Sequence, residues 1–145
     1  MVEHCVDPER EAFEAFKKLP RDEPIEMLNL VAFRERAAYP SDHPQAASSL
    51  SGAEAYKLYS EDSAPVFQRV GGSIIWRARP QLVLIGPGDE RWDAIFVARY
   101  PTAAAFLEMV TDDAYRRAVV HRQAAVATSR LIRTAPGRSG GSAFG

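Results

Sequence analysis

The sequence has little cysteine and no long hydrophobic run, and each absence excludes a class of protein. Cys5 is the only cysteine among 145 residues, so no intrachain disulfide can form and no cysteine pair is spaced to hold a metal. No apolar run approaches the ~20 residues that a bilayer span needs. The first residues also lack the basic and then apolar pattern of a signal peptide. We therefore expect a cytoplasmic protein without a membrane segment.

An excess of charge of one sign is also missing. The 18 Lys and Arg residues balance 19 Asp and Glu residues, for a net charge of −1, and like charges form no long block. We therefore predict no nucleic-acid partner and no binding to an anionic membrane. The sequence has no G-x-G-x-x-G, P-loop or H-E-x-x-H motif, so we predict no cofactor and no metal.

Helix and strand signals alternate along the chain. Asp7 and Pro8 predict the start of a first helix. Gly71 and Gly72 predict a left-handed cap after a second helix, which Pro65 is expected to kink or split. Thr102 is expected to cap a short third helix, and Asp112 or Asp113 a fourth. The predicted strands are 25–33, 73–85, 92–100 and 129–133, and the first, second and fourth helices are 7–19, 52–70 and 114–127.

Without the first helix, the order is that of a split β-α-β, or ferredoxin-like, domain. Its sheet has helices on one face only, so the other face needs a cover, and in a short chain a second copy is the natural one. We predict an α+β protein whose ferredoxin-like antiparallel sheet forms a dimeric α+β barrel, a homodimer. Residues 1–23 would be a helical extension, 24–134 the barrel domain and 135–145 a disordered Gly- and Ser-rich tail.

Several sequence motifs follow one another in a recognisable order. They are P-I-E-M-L-N-L at 24–30, Gly71-Gly72, E-R-W-D at 90–93, R-Y-P-T-A-A-A-F-L-E-M at 99–109, Tyr115, and His121-Arg122. In this order they resemble the uncharacterised family called domain of unknown function 1330, over roughly residues 24–133. That family is similar to the dimeric α+β barrel superfamily. The superfamily includes cofactor-free monooxygenases of aromatic polyketides, haem-degrading enzymes, muconolactone-isomerase-like enzymes and proteins without known activity. The resemblance implies the fold and leaves the chemistry open.

The fourth predicted helix places a positive charge on an apolar stripe. At 100° per residue, Tyr115, Val119, Arg122 and Val126 lie on one side. A half-buried guanidinium needs a partner. That partner is either a carboxylate such as Asp93 or an anionic ligand held by two parallel hydrogen bonds.

Two other polar residues are candidates for chemistry. Asn29 lies within an apolar strand, where its amide either ties down neighbouring backbone or donates to a ligand oxygen such as that of an enolate. His121 is the only histidine inside a predicted element, and so is the candidate general base near neutral pH. A packing or surface role for His121 is the alternative. Haem handling would also depend on His121 as axial ligand.

Aromatic side chains at helix and strand spacing predict either a packed core or a cavity between sheet and helices. The candidate ligand-binding residues are Tyr56, Trp76, Asp93, Tyr100 and Tyr115. Two functions stay open. One is a cofactor-independent enzyme or small-molecule-binding protein for a small aromatic or anionic ligand, with Asn29, His121 and Arg122 at its site. The other is a non-catalytic dimeric binding or accessory module without an active site.

Overall fold

Four antiparallel strands form one sheet with helices on one side in the computed structural model, which describes residues 4–137. The elements are α1 (Arg10–Lys18), β1 (Ile25–Phe33), α2 (Gly52–Arg69), β2 (Ser73–Ala78), β3 (Ala94–Tyr100), α3 (Ala103–Val110), α4 (Asp113–Ala125) and β4 (Val126–Thr134). The strands lie in the order β2-β3-β1-β4, which is the ferredoxin-like order that the sequence predicted. Within residues 4–137, no helix is both long and apolar enough to cross a bilayer.

Local signals set both ends of α2. At its start, Ser51 and Glu54 form a capping box: Ser51 Oγ accepts from the Glu54 N–H at 3.0 Å, and the Ser51 N–H donates to Glu54 Oε1 at 2.9 Å. Gly52 lies against the backbone of Arg34, where a Cβ atom would overlap the carbonyl oxygen. At the other end, Gly71 has φ of +87°, which confirms the predicted left-handed cap. Tight backbone contact therefore joins α2 to the end of β1.

Three predicted boundaries around the sheet were wrong. The predicted strand 73–85 ends at Ala78, because Pro80 lacks the N–H that would continue the ladder. β3 begins at Ala94 instead of residue 92. The last helix ends at Ala125, and β4 follows directly, since Val126 is fully buried and pairs with Phe33 of β1.

One prediction about the helices was also wrong, and one of the two alternatives for Pro65 is excluded. α1 begins at Arg10, and its N-cap residue Glu9 makes no side-chain cap. Asp7 accepts a hydrogen bond from Gln123 of α4 instead, at 3.1 Å. Pro65 lies inside α2 without splitting it. The predicted disordered tail, 135–145, lies mostly outside the described residues.

The two faces of the sheet differ in burial. The inner face, toward the helices, buries Ile25, Met27 and Val31 almost completely. α1 packs beside this layer, with Phe16 centred 5.1 Å from Phe106 of α3. By strand alternation and pairing, the opposite face, called the outer face below, carries a second apolar set. It comprises Leu28, Leu30, Trp76, Ile95, Val97 and Ile132.

Candidate ligand-binding site

A large open cavity lies between the inner face of the sheet, helices α2 and α4, and the N-terminal segment. The cavity and the groove that leads from it enclose about 2000 Å³, more than the ~300–1000 Å³ of an ordinary small-molecule pocket. Its central lining residues come from both sheet and helices: Asn29, Tyr56, Tyr59, Phe96, Tyr115 and Arg122. The space is therefore large enough for an aromatic ligand.

Three tyrosines form one wall of the cavity. The hydroxyls of Tyr59 and Tyr115 are 2.8 Å apart, and the rings of Tyr56 and Tyr59 are centred 5.3 Å apart. Burial raises the pKa of all three phenols, so they stay protonated at neutral pH. The Tyr59–Tyr115 pair uses one of its two hydroxyl hydrogens. Ser63 also hydrogen-bonds Tyr59, and the second hydrogen can be donated to its hydroxyl or to a ligand oxygen.

Arg122 projects from α4 into the same space. Its Nη1 donates to the Val6 carbonyl at 2.5 Å, and its Nη2 donates to Ser129 Oγ at 3.1 Å. Burial is the largest influence on the pKa of Tyr56 and raises it, while the positive charge of Arg122 acts in the opposite direction and lowers it. Within residues 4–137, none of the ion pairs between side chains includes Arg122. Its hydrogen-bond partners in this part of the chain are neutral oxygens.

Asp93 lines the cavity but does not pair with Arg122, so that predicted pairing was wrong. Its carboxylate accepts from the Phe33 N–H at 2.8 Å and lies 3.6 Å from a guanidinium nitrogen of Arg91. Asp93 therefore secures the end of β1 at the edge of the sheet. The actual partners of Arg122 are Val6 and Ser129, and sequence reasoning missed both. A main-chain carbonyl in a segment before the domain carries no residue-type signal.

Residues 46–134 match the family described as Domain of unknown function (DUF1330). The chain belongs to this family. No match was found among curated proteins.

Solved structures resemble this DUF1330 protein at two levels. A protein of unknown function from Rhodopseudomonas palustris is 51% identical, with 94% of this chain and 99% of that chain covered and a TM-score of 0.86. The methylated form of that protein is 50% identical, with 97% and 100% covered and a TM-score of 0.87. SnoaB, a cofactor-independent oxygenase from Streptomyces nogalater, is 12% identical, with 81% and 96% covered and a TM-score of 0.51. At that identity the likeness to SnoaB shows the fold alone.

His121 lies outside the cavity of this DUF1330 protein, among side chains of α2 and the β1–α2 loop. Its Nδ1 is 2.7 Å from Tyr39 Oη, and its Nε2 is 3.2 Å from Asp62 Oδ2. Its ring stands nearly perpendicular to that of His43, at 5.5 Å. Across residues 4–137, no three His, Cys, Asp or Glu side chains are placed to hold a metal ion. The geometry gives no support to His121 as a general base in the cavity.

The other predicted site residues divide between cavity, core and surface. Trp76 lies on the outer face, 51% exposed, so its predicted place in the cavity was wrong. Tyr100 is buried under the cavity and donates to Met109 Sδ at 3.9 Å. Asn29 lines the cavity, and its Nδ2 donates to the Met27 carbonyl at 3.1 Å. The structure thus brings Asn29, Tyr56, Asp93, Tyr100, Tyr115 and Arg122 to one cavity.

Proposed function

We propose that this DUF1330 protein binds a small planar anion in the cavity, with Arg122 as the partner of the negative group. One observation carries the proposal: the guanidinium of Arg122 lines a large cavity and is hydrogen-bonded to the neutral oxygens of Val6 and Ser129. A half-buried cation is costly when no anion compensates it. A carboxylate that enters the cavity would supply that compensation in the bidentate geometry that arginine favours, and a phenolate would supply it through its one oxygen.

The charge around the cavity supports an anionic ligand. Five arginines and three acidic residues line it: Arg77, Arg79, Arg116, Arg122 and Arg133 against Asp7, Glu9 and Asp93. The chain as a whole carries a net charge of −1, so positive charge is concentrated here. Such a local excess attracts anions by long-range steering.

The tyrosine wall supports a planar, partly aromatic ligand. Tyr56, Tyr59 and Phe96 offer ring faces and edges for stacking. The spare hydroxyl hydrogen of the Tyr59–Tyr115 pair offers a donor to a carbonyl, phenol or enolate oxygen. Neutral phenols in this position can stabilise developing negative charge on such an oxygen.

The test compares ligand binding by wild type, Arg122→Met and a matched control, Arg117→Met. Arg117 is an exposed residue of the same helix and does not line the cavity. The probes are benzoate, hydroxybenzoates and naphthoates, together with their neutral methyl esters, in thermal-shift assays followed by titration calorimetry. We expect the carboxylates to stabilise wild type and Arg117→Met, and the esters to bind more weakly. Arg122→Met should lose this preference for the carboxylates.

Two results would contradict the proposal. If Arg122→Met binds a carboxylate as tightly as wild type, the guanidinium is not its partner. If none of the probes binds wild type, and Arg122→Met is only less stable, the non-catalytic module without a ligand is the better description.

Self-association is a second proposal, supported by the outer face. Ile132 and Trp76 are 47% and 51% exposed there, beside an apolar surface contributed by β1 and β3. A second copy of the chain would cover this face, whose apolar composition is unlike the polar outer face of an antiparallel sheet in contact with water. Size-exclusion chromatography with light scattering should give twice the chain mass of 16.0 kDa. The measured mass should be lower for Ile132→Asp. A cytoplasmic location remains a prediction from the low cysteine content.

A further inference from the structure

The connection between β2 and β3, residues 79–92, is called the arm below. It carries the large apolar side chains that have the highest exposed fractions within residues 4–137. Leu82, Leu84 and Ile85 are 79%, 85% and 94% exposed. Scattered apolar residues on a surface are ordinary, but three large ones in four consecutive positions form a patch. These side chains make little contact with their own chain, so they contribute little to its fold.

The backbone of residues 81–85, within the arm, is also available for pairing. Residues 81–85 take part in no backbone hydrogen bond with the rest of residues 4–137. Their sequence, Q-L-V-L-I, favours an extended strand. Pro80 and Pro87 enclose this run and limit how far any strand pairing could extend. The arm therefore has the properties of a short strand whose partner lies outside its own chain.

The area that the arm exposes is too small for a stable interface by itself. Burying one Leu or Ile side chain removes about 60–120 Å² of apolar surface from water. Three such side chains supply about 200–350 Å², against about 800 Å² per partner in a stable complex. The outer face of the same molecule, with Trp76 and Ile132, provides further apolar area.

We infer that the arm packs on a second copy of this chain and forms part of its dimer interface. A two-fold axis lets each arm contact the other copy while the outer faces meet, so one symmetric contact covers both apolar surfaces. This inference rests on the proposed self-association and names the segment on which it depends. It also explains why residues 82–85 resemble a strand in sequence but pair with no strand among residues 4–137.

The test is a measurement of the dimer dissociation constant by sedimentation equilibrium for wild type and for Leu84→Asp/Ile85→Asp. We expect the constant to rise at least about 100-fold in the double variant, because both arms of the dimer lose two large apolar side chains. The thermal unfolding temperature at concentrations where the chain is monomeric should not change, since both residues are exposed in the single chain. Leu19→Asp is the matched control: Leu19 is 50% exposed, at the end of α1, and far along the chain from the arm. Its dimer constant should equal that of wild type.

Each other result identifies a different failure. A monomeric wild type overturns both the arm contact and the proposed self-association. A double variant that dimerises like wild type, while Ile132→Asp does not, overturns the arm contact and leaves the outer-face dimer standing. Should the double variant unfold, Leu84→Ser/Ile85→Ser repeats the comparison with smaller polar side chains.

Discussion

Replacement of Arg122 with methionine should loosen the N-terminal segment, which Gln123 still holds through Asp7, and lower the free energy of unfolding by about 2–4 kcal/mol. Methionine keeps the apolar stem but removes the donors to Val6 and Ser129. A hydrogen bond from a charged donor contributes about 1.5–3 kcal/mol, so two give about 3–6 kcal/mol. The side chain is half-buried, so water replaces part of this loss. Removing a half-buried charge also offsets some of it.

The assay combines urea unfolding with amide hydrogen exchange. The unfolding midpoint should fall, and the amides of residues 4–8 should exchange faster than in wild type. Arg117→Met serves as the control, and its stability should stay within about 0.5 kcal/mol of wild type because Arg117 is exposed. An unchanged midpoint with unchanged exchange at residues 4–8 would refute the assignment of Arg122 as the anchor of this segment.

Three further predictions concern stability. In a double-mutant cycle measured by urea unfolding, Tyr59→Phe and Tyr115→Phe should each lower the free energy of unfolding by about 1 kcal/mol. The double variant should lose little more than either single variant, because both substitutions remove the same hydrogen bond. Fully additive losses would argue against a shared bond. Gly52→Ala should cost about 3 kcal/mol or more, since the added Cβ overlaps backbone at the end of β1; a near-native midpoint would show that this junction can shift. The hydrogen bond from Arg69 lowers the pKa of Asp112, so the stability from this carboxylate is present at neutral pH and is lost as pH falls through the lowered pKa. Asp112→Asn should therefore show less loss of stability on acidification than wild type in melts across that range, and an identical pH dependence would contradict this.

Most of the fold could be predicted from the sequence, because its elements are bounded by local signals. Gly71 adopts the left-handed conformation that only glycine takes readily, and Thr102 and Asp112 accept from helix N–H groups as expected. The strand order then follows from element order alone. The end of β2 was missed, although Pro80 is a sequence signal for it, because residues 82–85 have the composition of a strand. Within the part of the chain that the structure describes, these residues differ from a strand in having no neighbouring strand to pair with.

The site could be predicted only in part. Helical spacing placed Tyr115 and Arg122 on one face, and the structure confirms that both line the cavity. The same spacing put His121 about 100° from Arg122, but the β1–α2 loop determines where that imidazole lies. The hydrogen bond to Tyr39 spans 82 residues of sequence. No local pattern specifies such a contact.

The aromatic group around His121 makes the β1–α2 loop visible to spectroscopy. The ring of His121 is nearly perpendicular to the rings of Tyr39 and His43, each centred 5.5 Å away. Ring currents from two neighbours at this distance should displace the imidazole proton resonances of His121 from those of a solvated histidine. Because His121 and Arg122 are adjacent on α4 but face different surroundings, these resonances would show whether a ligand in the cavity changes the environment of the neighbouring side of the helix.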